Sequence, residues 1–338
     1  MNTKAVADEV GGEAGLQALL ARLGELRGAI AQAIVGQDEV VEQLLIGLLA
    51  GGHCLLEGVP GLGKTLLVRS LGQALELQFR RVQFTPDLMP SDLLGTELLE
   101  EDHGTGHRHF RFQPGPIFTH LLLADELNRT PPKTQAALLE AMQERTVSYA
   151  GVTHALPAPF FVLATQNPLE QAGTYPLPEA QLDRFLLHIR VGYPSENEEH
   201  DILRQTTGSR GAQVPRVMHG ADLLALQARV REVHLSEDLL RWITRLVRAS
   251  RPGDGAPAEV RQWVKWGAGP RAGQSLALAS KARALLHGRL AATREDVIAL
   301  AAPVMRHRLL LSFAAEAESR SADDVVAALL RALPAPDA

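Results

Sequence analysis

Gly58-Val59-Pro60-Gly61-Leu62-Gly63-Lys64-Thr65 follows the run Leu55-Leu56-Glu57 and opens the helical stretch Leu66–Leu75. The string fits G-x-x-x-x-G-K-[ST], and a strand before it with a helix after it is the context that motif requires. Glycines let the backbone wrap phosphate groups, so that successive N–H groups and a helix N-terminus face the negative charge. Lys64 is placed to reach the β- and γ-phosphates of a nucleotide, and Thr65 to offer its hydroxyl to Mg²⁺. A Gly-rich turn with a chance lysine is the plainer alternative, and the flanking strand and helix argue against it.

Working outward, apolar residues recur at helical spacing through Leu16, Leu19, Leu20, Leu23, Leu26 and Ile30. A second helix is predicted over Asp38–Leu49, with Asp38 as its N-cap. Downstream, the apolar runs His53–Leu56, Phe79–Phe84, His120–Ala124, Phe160–Thr165 and Leu186–Val191 alternate with helical stretches. Runs of this kind are buried on both faces, which predicts a parallel five-stranded sheet in an α/β domain. Tyr193-Pro194-Ser195 punctuates the chain, and 196–206, 221–233, 236–250, 271–287, 293–302 and 322–333 all read as helix. The Pro/Gly-rich stretch Arg251–Pro257 reads as a loop among them. The expected division is a helical segment over 1–33, a nucleotide-binding αβα domain over 34–194, and an all-helical domain over 195–338.

Two further strand tips carry chemistry. Leu121-Leu122-Leu123-Ala124-Asp125-Glu126 ends in two carboxylates that strand alternation would send in different directions. Asp125 would hold Mg²⁺, and Glu126 would orient and deprotonate an attacking water. Such a pair is often only a solvated strand end, and it gains meaning from the phosphate loop upstream. Phe160–Thr165 leads into Gln166-Asn167-Pro168, where Asn167 either meets the γ-phosphate or the attacking water, or is a turn asparagine before proline.

The 338-residue chain has 34 basic and 39 acidic side chains, a net charge of −5 that argues against a dedicated nucleic-acid binder. A single cysteine, Cys54, excludes an intrachain disulfide and a cysteine-based zinc site, and it reads as a core residue. No leader-like pattern and no apolar run of membrane-spanning length is read, so a cytoplasmic, soluble protein without membrane insertion is the expectation.

Taken together, the strings resemble one superfamily. Gly58–Thr65 resembles Walker A, Leu121–Glu126 resembles Walker B, and Asn167 resembles sensor 1 of AAA+ ATPases. Leu182-Asp183-Arg184-Phe185 is similar to the segment with the arginine finger, and Gly269-Pro270-Arg271-Ala272 to sensor 2. Ile34-Val35-Gly36-Gln37 resembles the segment bordering the adenine. Ala124–Arg129, Leu163–Pro168 and Gly173–Ala180 point to the MoxR family within that group. The resemblance implies an ATP- and Mg²⁺-binding αβα domain followed by a helical lid, arranged as a hexameric ring with nucleotide between copies. It implies nucleotide contacts by Val35, Gly36, Gln37, Gly58, Pro60, Gly61, Leu62, Gly63, Lys64, Thr65 and Leu66. Thr65 and Asp125 would be on the metal, and Glu126, Asn167, Arg184 and Arg271 would act in catalysis. It also implies a chaperone-like action on a client protein, often with a von Willebrand factor A partner carried on a separate polypeptide. A magnesium-chelatase motor subunit would share nearly all these strings. A DNA-dependent motor and a non-hydrolysing nucleotide-bound scaffold are more distant alternatives.

The same resemblance implies two insertions. Gly95–Phe112 suits a hairpin interrupting the helix after the second strand, and Thr146–Thr153, or 146–155 at its full extent, suits a short hairpin before sensor 1. Some residues keep two readings. Arg184 is a finger or a local partner of Asp183, and Arg271 is a sensor or a solvated first-turn arginine. Arg306-His307-Arg308 reads as a solvated helix end rather than a phosphate or acidic-partner contact. His103, His107 and His109 read as an exposed hairpin rather than a metal site. Trp242, Trp263 and Trp266 read as packing or subunit-contact residues.

Overall fold

The computed structural model describes residues 13–34, 36–59, 62–101, 108–167, 173–207 and 214–336. Helices α1 (Glu13–Ala33) and α2 (Asp38–Leu49) precede β1 (Cys54–Gly58) and α3 (Lys64–Ala74). β2 (Phe79–Gln83) and the short α4 (Pro90–Leu94) lead into an antiparallel hairpin of β3 (Gly95–Glu101) and β4 (Arg108–Pro114). β5 (Leu121–Asp125) and α5 (Pro132–Glu144) are followed by a second hairpin, β6 (Thr146–Tyr149) and β7 (Val152–Ala155). β8 (Phe161–Gln166), α6 (Glu179–Leu182) and β9 (Leu187–Val191) come next.

Five of these strands form one sheet in the order β2-β5-β8-β1-β9, and every neighbouring pair is parallel. The predicted class holds, and the packing explains why the strands read as unbroken apolar runs. Leu121 and Leu123 of β5 join the core on the side of α2 and α3, while Leu122 and Ala124 join the core beneath α5. Side chains alternate between faces, and both faces are covered, so polarity does not alternate. Each fully buried leucine there contributes roughly 1.5–3 kcal/mol relative to exposure. Edge strand β2 departs from that pattern, with Arg80 and Arg81 exposed, and charge on an edge discourages pairing with another sheet.

Three expectations need correction. Asp38 does not cap α2. Gln37 holds that position in the left-handed conformation (φ 59°, ψ 29°), and Asp38 and Glu39 instead place negative charge in the first turn. The first hairpin runs on to Pro114, and it does not interrupt a longer helix: α4 stops at Leu94, and residues 115–120 are turns. Gly95 forces that stop. Its φ of 113° suits glycine, and a Cβ there would collide with the Gln113 carbonyl across the hairpin. The two hairpins touch, since Phe112 stacks on His154 at 4.2 Å between centroids and lies 5.5 Å from Tyr149.

After β9 come α7 (Glu196–Thr206), α8 (Gly220–Glu232), α9 (Glu237–Ala249), α10 (Ala258–Trp263), α11 (Pro270–Leu286), α12 (Arg294–Met305), α13 (Phe313–Ala317) and α14 (Ala322–Ala332). This half is not wholly helical. β10 (Val264–Trp266) and β11 (Leu310–Leu311) form an antiparallel pair, too short for periodicity to reveal. α11 lies at the centre, packed on α8, α9 and α12 and also on α1 and α2. Arg283 of α11 fastens it to Glu42 of α2 at 3.0 Å and to the buried Asp296 of α12 at 2.7 Å. Helical half and sheet therefore share one continuous core. Among the described residues no helix is long and apolar enough to cross a membrane.

Candidate active site

Ligands of open parallel sheets bind outside the carboxyl ends of the strands. Here β1 ends at Gly58, β5 at Asp125 and β8 at Gln166, and pairing of Glu57 with Gln166 and Ala124 with Ala164 brings the tips level. Between β1 and α3 the chain passes through Gly63 at φ 73°, where open space surrounds a would-be Cβ, so glycine serves the backbone angle. Pro60 and Gly61 lie outside the described residues. No side chain caps the first turn of α3, so its N–H groups and the positive end of the helix are available to an anion. Lys64 Nζ donates to the Gly58 carbonyl at 2.7 Å. Desolvation lowers the pKa of this half-buried ammonium, opposed by the nearby Asp125 and Glu126 carboxylates. Thr65 is half-buried and Leu66 is exposed.

Asp125 closes β5, and Glu126 follows in the left-handed conformation (φ 57°, ψ 49°). The two carboxylates diverge because the chain turns, and not through continued strand alternation as the sequence suggested. A non-glycine residue held there costs about 1–3 kcal/mol, a strain that clusters at functional sites. Thr165 of β8 locks the turn by donating to Asp125 Oδ1 at 2.6 Å and accepting from the Glu126 N–H at 2.9 Å. Arg81 of β2 donates to Asp125 Oδ2 through Nη2 at 2.6 Å and Nε at 3.0 Å. Gln83 donates to Glu126 Oε2 at 2.6 Å, and Arg129 approaches the same oxygen at 3.1 Å. Asn167 is buried just beyond the tip of β8.

The segment expected beside a base closes the far side of this edge. Val35 lies outside the described residues, while Gly36 (φ 67°) and Gln37 (φ 59°) form a left-handed pair. Gln37 Nε2 donates to the Leu62 carbonyl at 3.3 Å, tying this segment to the phosphate loop. Glu198 of α7 accepts from Ser195 N–H and Oγ at 2.7 Å each, and from the Gln37 backbone. The Ser195 bonds first, then that of Gln37, hold its carboxyl below the usual range.

Arg184 and Arg271 stand elsewhere. Arg184 precedes β9, whose first residue pairs with Cys54 at the start of β1, whereas Lys64 follows the end of β1. The amino and carboxyl edges are therefore separated by at least the length of β9, about 13 Å at about 3.3 Å per residue. Arg271, in the first turn of α11, comes to 3.7 Å from Asp183 Oδ2, so it shares the amino edge with Arg184. Asp183 does not form the local pair with Arg184 that the sequence allowed. Its carboxylate meets Arg308 at 2.7 Å and Arg271, both from the helical half.

Residues 53–187 match the family described as ATPase family associated with various cellular activities (AAA), and residues 258–329 match the AAA lid domain. Chaperone MoxR1 of Mycobacterium tuberculosis is 43% identical over 327 residues, which are 96% of this chain and 85% of that one. Protein MoxR of Paracoccus denitrificans is 34% identical, covering 88% of this chain and 91% of that one. The chain belongs to the MoxR family of AAA+ ATPases. The crystal structure of a Cytophaga hutchinsonii protein matches with a TM-score of 0.88 at 38% identity, over 98% of this chain and 100% of that one.

The donor set of this MoxR-family chain fits a magnesium nucleotide. A hydroxyl (Thr65) and a carboxylate (Asp125) are hard oxygen ligands, and among the described residues no group of three His, Cys, Asp or Glu gathers. A cation here would thus rest on few protein ligands and largely on phosphate oxygens, as Mg²⁺ does. Of the residues around these carboxylates, sequence reasoning missed Thr165, Arg81 and Gln83. Thr165 had a signal, a hydroxyl near the tip of an apolar strand. Arg81 and Gln83 lie on β2, and only sheet order makes them neighbours of β5.

Other readings sort themselves by burial. Cys54 is wholly buried, which pushes its thiol pKa far up and leaves it inert. Trp242 and Trp263 are packed, while Trp266 is 73% exposed. His109 is an exposed hairpin residue 3.8 Å from Glu100, and His103 and His107 lie outside the described residues. Arg306-His307-Arg308 is not a solvated helix end: His307 and Arg308 are both buried.

Proposed function

We propose that this chain hydrolyses ATP to ADP and phosphate in a closed ring, six copies by family resemblance, with each nucleotide held between two of them. The observation that carries this reading is the division of charged groups between two edges of one sheet. Lys64, Asp125, Glu126 and Asn167 gather at the carboxyl edge, while Arg184 and Arg271 stand at the amino edge. One copy supplies half of a phosphoryl-transfer site, and only a neighbour can supply the other half.

In this reading the α3 amides cradle the phosphates, and Lys64 exchanges the Gly58 carbonyl for β- and γ-phosphate oxygens. Gly36 and Gln37 border the base. Bound Mg²⁺ supplies charge neutralisation at the phosphate oxygens, and Thr65 and Asp125 would hold it. Glu126 takes the proton of the attacking water, a role worth about 10²–10⁴ in rate, and Asn167 orients that water. Gln83 and Arg129 both hold Glu126 Oε2, which orients the carboxylate for that role. Arg184 and Arg271 of the neighbouring copy stabilise negative charge spread over the transferred phosphoryl group.

The output we propose is remodelling or activation of a client protein in the cytoplasm, with a von Willebrand factor A partner. MoxR1 carries the name of a chaperone. The touching hairpins also leave Leu98, Leu99 and Phe110 exposed, an apolar edge suited to protein contact. Replacement Glu126→Gln keeps the shape and should still bind ATP yet lose turnover. Phosphate release at near the parent rate would overturn the assignment.

A further inference from the structure

Arg308 is the charge the reading above leaves unused. Its side chain is only 2% exposed, and a guanidinium so buried must be almost fully bonded to persist. Nε donates to Asp183 Oδ1 at 2.7 Å. Nη2 donates to the Phe185 carbonyl at 2.6 Å, the Asp183 carbonyl at 3.2 Å and Ser275 Oγ at 3.2 Å. Nη1 reaches the Leu186 carbonyl at 3.4 Å and the Val304 carbonyl of α12. His307 adds a bond from Nε2 to the Phe185 carbonyl at 3.1 Å.

These bonds have a particular target. Asp183 and Phe185 flank Arg184, and Arg308 holds the carbonyl of each. Asp183 also receives Arg271 on its other oxygen. Ser275 lies on α11, one turn after Arg271, and Val304 lies on α12, so the grip spans core and lid. A buried ion pair is a poor way to gain stability, since apolar residues of similar volume often do better. What a rigid five-donor fork supplies, and an apolar group does not, is a specified geometry.

We propose that Arg308 is a positioning residue. By gripping Asp183 and the carbonyls on both sides of Arg184, and sharing Asp183 with Arg271, it makes the two arginines one unit presented to the neighbouring copy's nucleotide. Any lid movement then carries both arginines together. This rests on the reading that Arg184 acts on a neighbour's nucleotide.

The test uses full-length Asp183→Asn, which keeps shape and loses charge, and Arg308→Lys, which keeps charge and loses the fork. Both should assemble with native mass and bind ATP within about twofold of the parent, while kcat falls on the order of 10²-fold, the cost of slight misplacement of a catalytic group. Mixing each with Glu126→Gln should restore turnover, because the Gln variant donates an intact arginine pair to the other's intact base. Arg184→Ala mixed with Glu126→Gln runs alongside. Restoration in that mixture but in neither of the others would overturn the role of Arg308 and leave the neighbour-acting finger standing. Co-assembly without restoration in any mixture would overturn both. Should Arg308→Lys fail to fold, Asp183→Asn decides alone, and a kcat near that of the parent overturns the proposal.

Discussion

The two edges of the central sheet are built to opposite rules. At the carboxyl edge Lys64, Asp125 and Glu126 are only half-buried, and each is held by a partner it could exchange: the Gly58 carbonyl, Arg81, and Gln83 with Arg129. At the amino edge Arg271 is exposed and Arg184 half-buried, but the polar groups behind them are interior. His53 accepts from the Val162 N–H and donates to the Met142 carbonyl, and Arg308 and His307 bind the loop around Arg184. An edge that receives a ligand needs charges wet enough to change partners. An edge that presents groups to another molecule has to be rigid beforehand, since slack in its loop becomes error in the neighbour's site.

The largest effect that could break this contrast is that of Arg184→Ala. Turnover should fall by roughly 10³–10⁵, as for comparable arginines in phosphoryl transfer, with ATP affinity of the isolated subunit spared. Parent turnover per subunit should also rise with protein concentration. Loss of ATP affinity in parallel with turnover would place Arg184 in its own subunit's pocket and erase the division between edges.

Lys64→Ala tests the other edge. A charge-assisted bond to phosphate is worth about 1.5–3 kcal/mol, so nucleotide affinity should drop by roughly 10- to 100-fold. Melting temperature without nucleotide should hardly move, because the half-buried ammonium bonds the carbonyl at the last residue of β1 and lies outside the apolar core. A variant that binds ATP normally but melts early would reverse the two roles assigned here.

Acid should act first on the amino edge. Burial depresses the His53 pKa to about 4 from its ordinary 6.5, with Arg145 adding to the depression and the Met142 carbonyl opposing it. A histidine depressed in the folded state contributes stability that is whole above pH 6.5 and is lost as pH falls toward 4, on the order of 3 kcal/mol in all. His307 is depressed in the same sense, by burial and then by Arg308. Denaturant unfolding should show a steep loss below pH 6.5, shallower in His53→Gln. A flat profile from pH 7 to 4.5 would contradict the account.

The smallest effect expected is none. With a net charge of −5 and no basic run, DNA should leave ATP turnover unchanged at near-physiological salt, and several-fold stimulation would argue for a DNA-dependent motor.

The amino-acid sequence by itself determined what is local along the chain. Gly63, Lys64 and Thr65 read as a phosphate loop because helix start, glycine conformation and lysine lie within a few residues. The strands declare themselves because burial on both faces demands continuous apolar runs. α2 matches its predicted span, and the strands of the sheet end within one or two residues of theirs. Only tertiary structure decided what depends on distant segments meeting. It put β2 beside β5, so that Arg81 and Gln83 bond carboxylates more than forty residues away. It brought Arg308 back across 125 residues to Asp183, turning an apparent helix end into a buried clamp. It also set Arg271 beside Asp183, the residue before Arg184, on the edge facing away from Lys64. No local pattern marks such residues, because a surface arginine and a buried one have the same neighbours in sequence. Burial is a property of the closed core, and it is the cost of desolvating charge there that selects partners.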